Sequence, residues 1–130
     1  MTIQPTILLV EDQLMARIAA QALLTTLGCK VIVAENGMQA LALAAENHLD
    51  LVFMDIGLPD KSGFEVTKDI RQLPAPYGAV PIIALTAHDD KELIQLAQEV
   101  GMQGFYTKPL TKELIHTILE KFCKTASDNQ

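Results

Sequence analysis

Five short runs of aliphatic residues, separated by longer segments whose apolar residues recur at helical spacing, leave this chain few folds to choose from. The runs are Thr6 to Val10, Lys30 to Ala34, Leu51 to Met54, Pro81 to Thr86 and Gly104 to Thr107. They are rich in Ile, Val and Leu, as strands covered on both faces are. Strand and helix taking turns in this way predicts an α/β domain in which a parallel sheet carries helices on both sides. A chain of 130 residues, 49% of them hydrophobic, has the size of one domain and the material for its core. The domain is expected over residues 1–124, with a polar, frayed tail at 125–130.

Punctuation between the runs agrees. Asn36 before Gln39, Ser62 before Glu65 and Asp89 before Glu92 each read as a helix cap with its partner three residues on. Gly28 and Gly101 fall where the first and fourth helices should stop, as left-handed residues just past the end. Leu93, Leu96, Ala97 and Val100 are expected on the core face of the fourth helix, and Leu114, Ile115, Ile118, Leu119 and Phe122 on that of the fifth. The prolines at 74, 76 and 81 make the segment between the third helix and fourth strand a connector.

Charge narrows the partners. Sixteen acidic against ten basic residues give a net charge of −6, which argues against nucleic acid and against anionic membrane surfaces. No apolar stretch approaches the roughly 18 residues of a spanning helix, and the N-terminal residues lack the pattern of a signal peptide, so a cytoplasmic location is expected. Cys29 and Cys123 are too few and too distant in sequence for a disulfide framework, and both read as reduced packing residues.

The chemistry lies at the ends of the runs. Glu11 and Asp12 follow the first, Asp55 follows the third, Thr86 ends the fourth and Lys108-Pro109 follows the fifth. In an open parallel sheet the strand C-termini share one edge, where ligands bind, so these positions can converge. Three carboxylates suit a hard cation such as Mg²⁺, and a hydroxyl with an ammonium suits the oxygens of a phosphoryl group. The set reads as a carboxylate that becomes phosphorylated. Taken singly, Asp55 is open to reading as a turn residue, Asp12 as the cap of the first helix, and Lys108 as solvated surface.

Glu11-Asp12 after Ile-Leu-Leu-Val, Met54 to Pro59 with Gly63, Pro81 to Ala87, and Lys108-Pro109-Leu110 together resemble the receiver domain of two-component response regulators over residues 6 to 122. The resemblance is greatest to receivers of hybrid sensor histidine kinases. It implies a flavodoxin-like, doubly wound fold with five strands in the order 2-1-3-4-5 and five helices. It further implies that Asp55 accepts a phosphoryl group from a histidine kinase or histidine phosphotransfer domain, with no enzymatic role beyond assisting its own phosphorylation and dephosphorylation. Mg²⁺ would be held by Glu11, Asp12, Asp55 and the backbone carbonyl of Gly57. Lys108 would pair with Asp55 and then with the phosphoryl group, across a cis bond to Pro109. Thr86 would donate its hydroxyl, and its movement would let Phe105 rotate inward; Phe105 is equally open to reading as plain core packing. Family receivers often carry Tyr at that position, so an output that needs its hydroxyl is not expected here. In the family, side chains at the positions of Gly57 and His88 gate the water that ends the modified state; Gly57 would leave that water free access, and His88 would obstruct or assist it. His48 and His116 read as surface residues, and a monomer or weak dimer is expected.

The first helix carries two apolar stripes. Ala16, Ala20, Leu23, Leu24 and Leu27 should face the sheet, while Leu14, Met15, Ile18 and Ala22 lie beside them. The second stripe reads either as a docking surface, with Leu14, Met15 and Ile18 against a four-helix histidine-bearing partner, or as a helix buried more deeply. Other classes fit less well: a haloacid dehalogenase phosphatase wants an Asp where Gly57 stands, a flavodoxin wants a hydroxyl-rich loop after the first strand, and a receiver-like module that is never phosphorylated has no use for the full set.

Overall fold

The computed structural model describes residues 4–88 and 90–123. Strands β1 (Thr6–Val10), β2 (Lys30–Ala34), β3 (Leu51–Asp55), β4 (Ile82–Thr86) and β5 (Gly104–Thr107) pair in parallel in the order β2-β1-β3-β4-β5. Helices α1 (Leu14–Thr26), α2 (Gly37–Glu46), α3 (Gly63–Arg71), α4 (Lys91–Val100) and α5 (Lys112–Phe122) connect or follow them, and a 3-10 turn, Tyr77–Ala79, lies in the proline-rich connector. This is the parallel α/β arrangement that the alternation predicted, in the flavodoxin-like, doubly wound order that the family resemblance implied.

Alternate residues along each strand enter opposite cores, because successive side chains of a strand point to opposite faces. Leu8, Val10, Val52, Met54, Ile82 and Ala84 pack under α2, α3 and α4 with Ala40, Val66 and Ala97. Ile7, Leu9, Leu51, Phe53, Ile83 and Leu85 pack under α1 and α5 with Leu24, Ile115 and Ile118. β3 and β4 are buried throughout, whereas β2 and β5 at the sheet edges are more open. Burying each large aliphatic side chain contributes about 1.5–3 kcal/mol, so the two cores together hold the layers on the sheet.

The helix ends bear out most of the expected punctuation. Asn36 accepts from the Gln39 N–H at 2.8 Å, and Ser62 and Glu65 form a reciprocal capping box. Gly28 and Gly101 have φ of 90° and 95°, a region that costs a residue with a Cβ. Two details differ. The cap of α4 is Asp90, whose carboxylate accepts from the Glu92 N–H at 2.8 Å, one residue later than expected; Asp89 lies outside the described residues, as do Lys124 and the tail at 125–130. Leu96 is 39% exposed, because the sheet covers the arc of Leu93, Ala97 and Val100 and leaves Leu96 at its margin. Cys29 and Cys123, far apart in sequence, share the core under α1 and α5 as buried free thiols.

Candidate functional site

Register brings the polar residues together before any side chain is considered. Val10 pairs with Met54, so the next residues, Glu11 and Asp55, leave adjacent strands side by side. Asp55 pairs with Leu85, one residue before Thr86, and the Lys108 N–H continues the ladder to the Thr86 carbonyl at 2.7 Å. Glu11, Asp55 and Thr86 are 4%, 5% and 4% exposed, the buried polar residues at this edge.

The Lys108 ammonium bridges two of the carboxylates, donating to Glu11 Oε1 at 2.8 Å and to Asp55 Oδ2 at 3.2 Å. Burial alone would depress the ammonium, but the Glu11 hydrogen bond and the charges of Asp55 and Glu11 outweigh it and hold Lys108 above its ordinary value. For Glu11 burial wins: desolvation raises its carboxyl, against the lowering effects of Lys108 and of the Gln13 N–H, which donates to Glu11 Oε2 at 3.1 Å. The peptide bond between Lys108 and Pro109 is cis.

One oxygen from each of Glu11, Asp12 and Asp55 lies within 4.8 Å of the other two. Three hard oxygen donors balanced by the one ammonium of Lys108 leave excess negative charge at this edge. That donor set fits a small divalent cation such as Mg²⁺, which keeps several waters and needs few protein ligands. Asp12 does not cap α1, whose N-cap is Gln13 with no side-chain hydrogen bond, so its carboxylate is not committed to the helix.

Asp55 also performs the turn role open to it, since its Oδ1 accepts from the Gly57 N–H at 2.9 Å. Thr86 Oγ1 accepts from the His88 N–H at 3.2 Å, and His88 itself is exposed. Phe105 pairs with Ala84 in register and is half-buried in the core beneath α4, on the sheet face that Thr86 shares by alternation. Tyr106 packs on the opposite face. His48 is exposed and stacks on Tyr77, and exposed His116 lies 3.5 Å from Glu120; neither belongs to the cluster of Glu11, Asp12 and Asp55. Leu14, Met15 and Ile18 are 58%, 76% and 51% exposed, so α1 is not buried more deeply as the alternative had it.

Asp60 was not singled out by sequence, yet it ties the loop after β3 to the start of α2. Its two oxygens accept from the N–H groups of Gly37 and Met38 at 2.8 and 3.0 Å. Those bonds, the Gly37 one foremost, hold its carboxyl below the usual range. An Asp in a Pro-Asp-Lys-Ser loop looks like any turn residue, and its helix partner is 23 positions away. Arg71 escaped notice similarly: its guanidinium donates to the carbonyls of Gly78, Val80 and Gly101, lashing α3 to the connector and to the end of α4.

A family model described as the response regulator receiver domain matches residues 7–120. A probable histidine kinase 2 of Oryza sativa subsp. indica is 35% identical over 133 residues, covering 91% of this chain and 13% of that protein. Sensor histidine kinase AruS of Pseudomonas aeruginosa is 38% identical over 114 residues, covering 87% of this chain and 11% of that protein. The chain thus spans about an eighth of the length of these relatives. Among solved structures, the receiver domain of a sensor histidine kinase from Pseudomonas aeruginosa PAO1 superposes with a TM-score of 0.84 and 32% identity, over 92% of this chain and 98% of that one; it carries a magnesium ion coordinated in its active site cleft.

Proposed function

The chain belongs to the response regulator receiver domain family, a signalling family, and on that premise we propose that Asp55 is its phosphoacceptor, supplied by a histidine kinase or histidine phosphotransfer domain. The observation that carries this reading is the convergence of Glu11, Asp12 and Asp55 within 4.8 Å beside the Lys108 ammonium. Glu11, Asp12, Asp55 and the Gly57 carbonyl would hold Mg²⁺, which when bound offsets charge on the phosphoryl oxygens.

A carboxylate oxygen of Asp55 attacks phosphorus, the bond from phosphorus to the donor nitrogen breaks, and its electron pair leaves with the imidazole. Lys108 orients Asp55 beforehand through the 3.2 Å contact and afterwards faces phosphoryl oxygens. Thr86 donates its hydroxyl proton to one of them, since its contact with His88 uses only a lone pair of the oxygen. Movement of Thr86 then shifts the population of Phe105 positions, and the two residues form the switch. Gly57 leaves attacking water free access to the acyl phosphate, and His88 obstructs or assists that water and so tunes how long the acyl phosphate lasts.

The exposed stripe of Leu14, Met15 and Ile18 begins two residues after Asp12 and faces solvent beside the reacting edge. It is the surface on which a histidine-bearing helical partner docks. The kinship with histidine kinases supports a relay role for the domain. Intact mass after incubation with acetyl phosphate tests the core of the reading. A single phosphoryl adduct is expected with Mg²⁺ and not without it, and none in Asp55→Asn. An adduct that persists in the variant would remove Asp55 from its role.

A further inference from the structure

The loop that carries Glu11 and Asp12 has to hold two carboxylates in place at the start of a helix without a side-chain N-cap. Its backbone is fixed on one side by the Glu11 N–H, which donates to the Ala34 carbonyl at 3.0 Å. On the other side stands Arg17, one turn into α1. Its Nη1 donates to the Glu11 carbonyl at 2.9 Å and, more weakly, to the Asp12 carbonyl at 3.4 Å, while Nη2 lies 3.5 Å from Glu35 Oε1 in the loop after β2. The Arg17 side chain is only 12% exposed and Glu35 is 60% exposed. The guanidinium therefore spends its hydrogen bonds chiefly on the backbone of the two acidic residues, and uses Glu35 as an outer anchor.

We propose that Arg17 is a positioning residue for the divalent cation: its fork clamps the carbonyls of Glu11 and Asp12 so that their carboxylates keep the spacing a small octahedral ion demands. The proposal rests on the reading that Glu11, Asp12 and Asp55 hold Mg²⁺. A guanidinium suits the task because its donors are fixed in one plane and can serve several acceptors at once, whereas an ammonium is a single flexible point of charge. The cation that faces the carboxylates themselves is Lys108; Arg17 meets the same residues from their carbonyl side.

Charge and geometry make opposite forecasts, which renders the proposal testable. Removing a positive charge this near a cation site should tighten divalent binding on Coulombic grounds. Removing a clamp should weaken it, and should weaken Mg²⁺ more than Ca²⁺, because Mg²⁺ requires near-ideal geometry at short distance and Ca²⁺ tolerates irregular sites.

The experiment is calorimetric titration of the chain, Arg17→Met and Arg17→Lys with MgCl₂ and separately with CaCl₂, at a temperature where circular dichroism shows each protein folded. Arg17→Met keeps the apolar stem and removes the fork. Its dissociation constant for Mg²⁺ is expected to rise about tenfold or more, the usual effect of losing a group that orients metal ligands. The constant for Ca²⁺ should rise less, and Arg17→Lys should recover part of the loss. An unchanged or lowered Mg²⁺ constant in Arg17→Met overturns the proposal, as does equal weakening of both ions together with a lower urea midpoint, the pattern of a merely structural residue. If Arg17→Met does not fold, Arg17→Lys decides alone, since it retains the charge and loses only the fork: a raised Mg²⁺ constant supports the clamp and an unchanged one overturns it. A native chain that binds neither ion would overturn the metal site itself and the proposal with it, an outcome separate from failure of the clamp.

Discussion

Gly63 sets how near α3 comes to the strand that ends in Asp55. A Cβ built there would lie 2.5 Å from the Asp55 carbonyl oxygen and 2.8 Å from the Ile56 Cα, both backbone atoms that cannot swing aside. Gly57 differs, since a Cβ there would meet only Asp55 Oδ1 at 3.8 Å. Gly63→Ala is therefore expected to lose about 1–3 kcal/mol in urea unfolding, because the helix must retreat from the strand. It should also slow phosphoryl uptake by displacing the Asp55 backbone. Gly57→Ala should stay within about 0.5 kcal/mol of the native chain. Equal midpoints for the native chain and Gly63→Ala would show that the approach of α3 is not a constraint. At this scale the sequence named Gly63 as part of a motif; the reason for a glycine there is a backbone approach too close for any Cβ, which no spacing rule contains.

α1 shows the same division for a whole element. Helical period assigns Leu23, Leu24 and Leu27 to the sheet, and the structure places them there, with Leu24 fully buried. The period also marks a second stripe, but only the packed structure shows that nothing among the described residues covers Leu14, Met15 and Ile18. Ile18→Asp puts a charge on that stripe without touching the carboxylates. Transfer from a histidine phosphodonor protein should slow by tenfold or more, on the order of 1.4 kcal/mol or greater for losing a central apolar contact. Phosphorylation by acetyl phosphate, read by intact mass, should keep its rate. Equal loss with both donors would mean that the substitution damaged the site and that the stripe is not the docking surface. The offset of the α4 cap from Asp89 to Asp90 belongs to this scale too: only Asp89 has Glu three residues on, but Asp90 is an equally good capping residue type and meets the Glu92 N–H two residues on.

Across the whole molecule the two cores behave as sealed layers, and the cysteines report on one of them. Burial pushes the Cys29 thiol up and raises Cys123 to about 12, with the charge of Asp50 adding to the effect on Cys123. The thiolate is the reactive form, so iodoacetamide at pH 8 should leave both residues unmodified in the folded chain. Labelling should appear only as urea unfolds it. Rapid labelling in native buffer would contradict a closed core under α1 and α5. The same shift has a sign for stability. Because the folded value of Cys123 exceeds the ordinary 9.0, its contribution is complete below pH 9 and is lost as pH rises from there toward about 12, where the unfolded chain ionises first.

The alternation of apolar runs with helical segments determined the fold class, the number of layers and the set of polar residues at the strand ends, because strand and helix periods are local properties of the chain and the shared edge follows from parallel pairing. Cap identities and helix stops were local as well, wherever one residue alone met the pattern. What only the tertiary structure decided is who touches whom: that Lys108 reaches Glu11 more closely than Asp55, that Asp60 holds the start of α2, that Arg17 grips the carbonyls of Glu11 and Asp12, and that the cysteines meet in one core. Apart from the short reach of Arg17 from α1 back to the loop before it, these contacts join residues far apart along the chain. They depend on ångström-scale register and on the rotamers of long side chains, and a one-dimensional pattern holds no record of either.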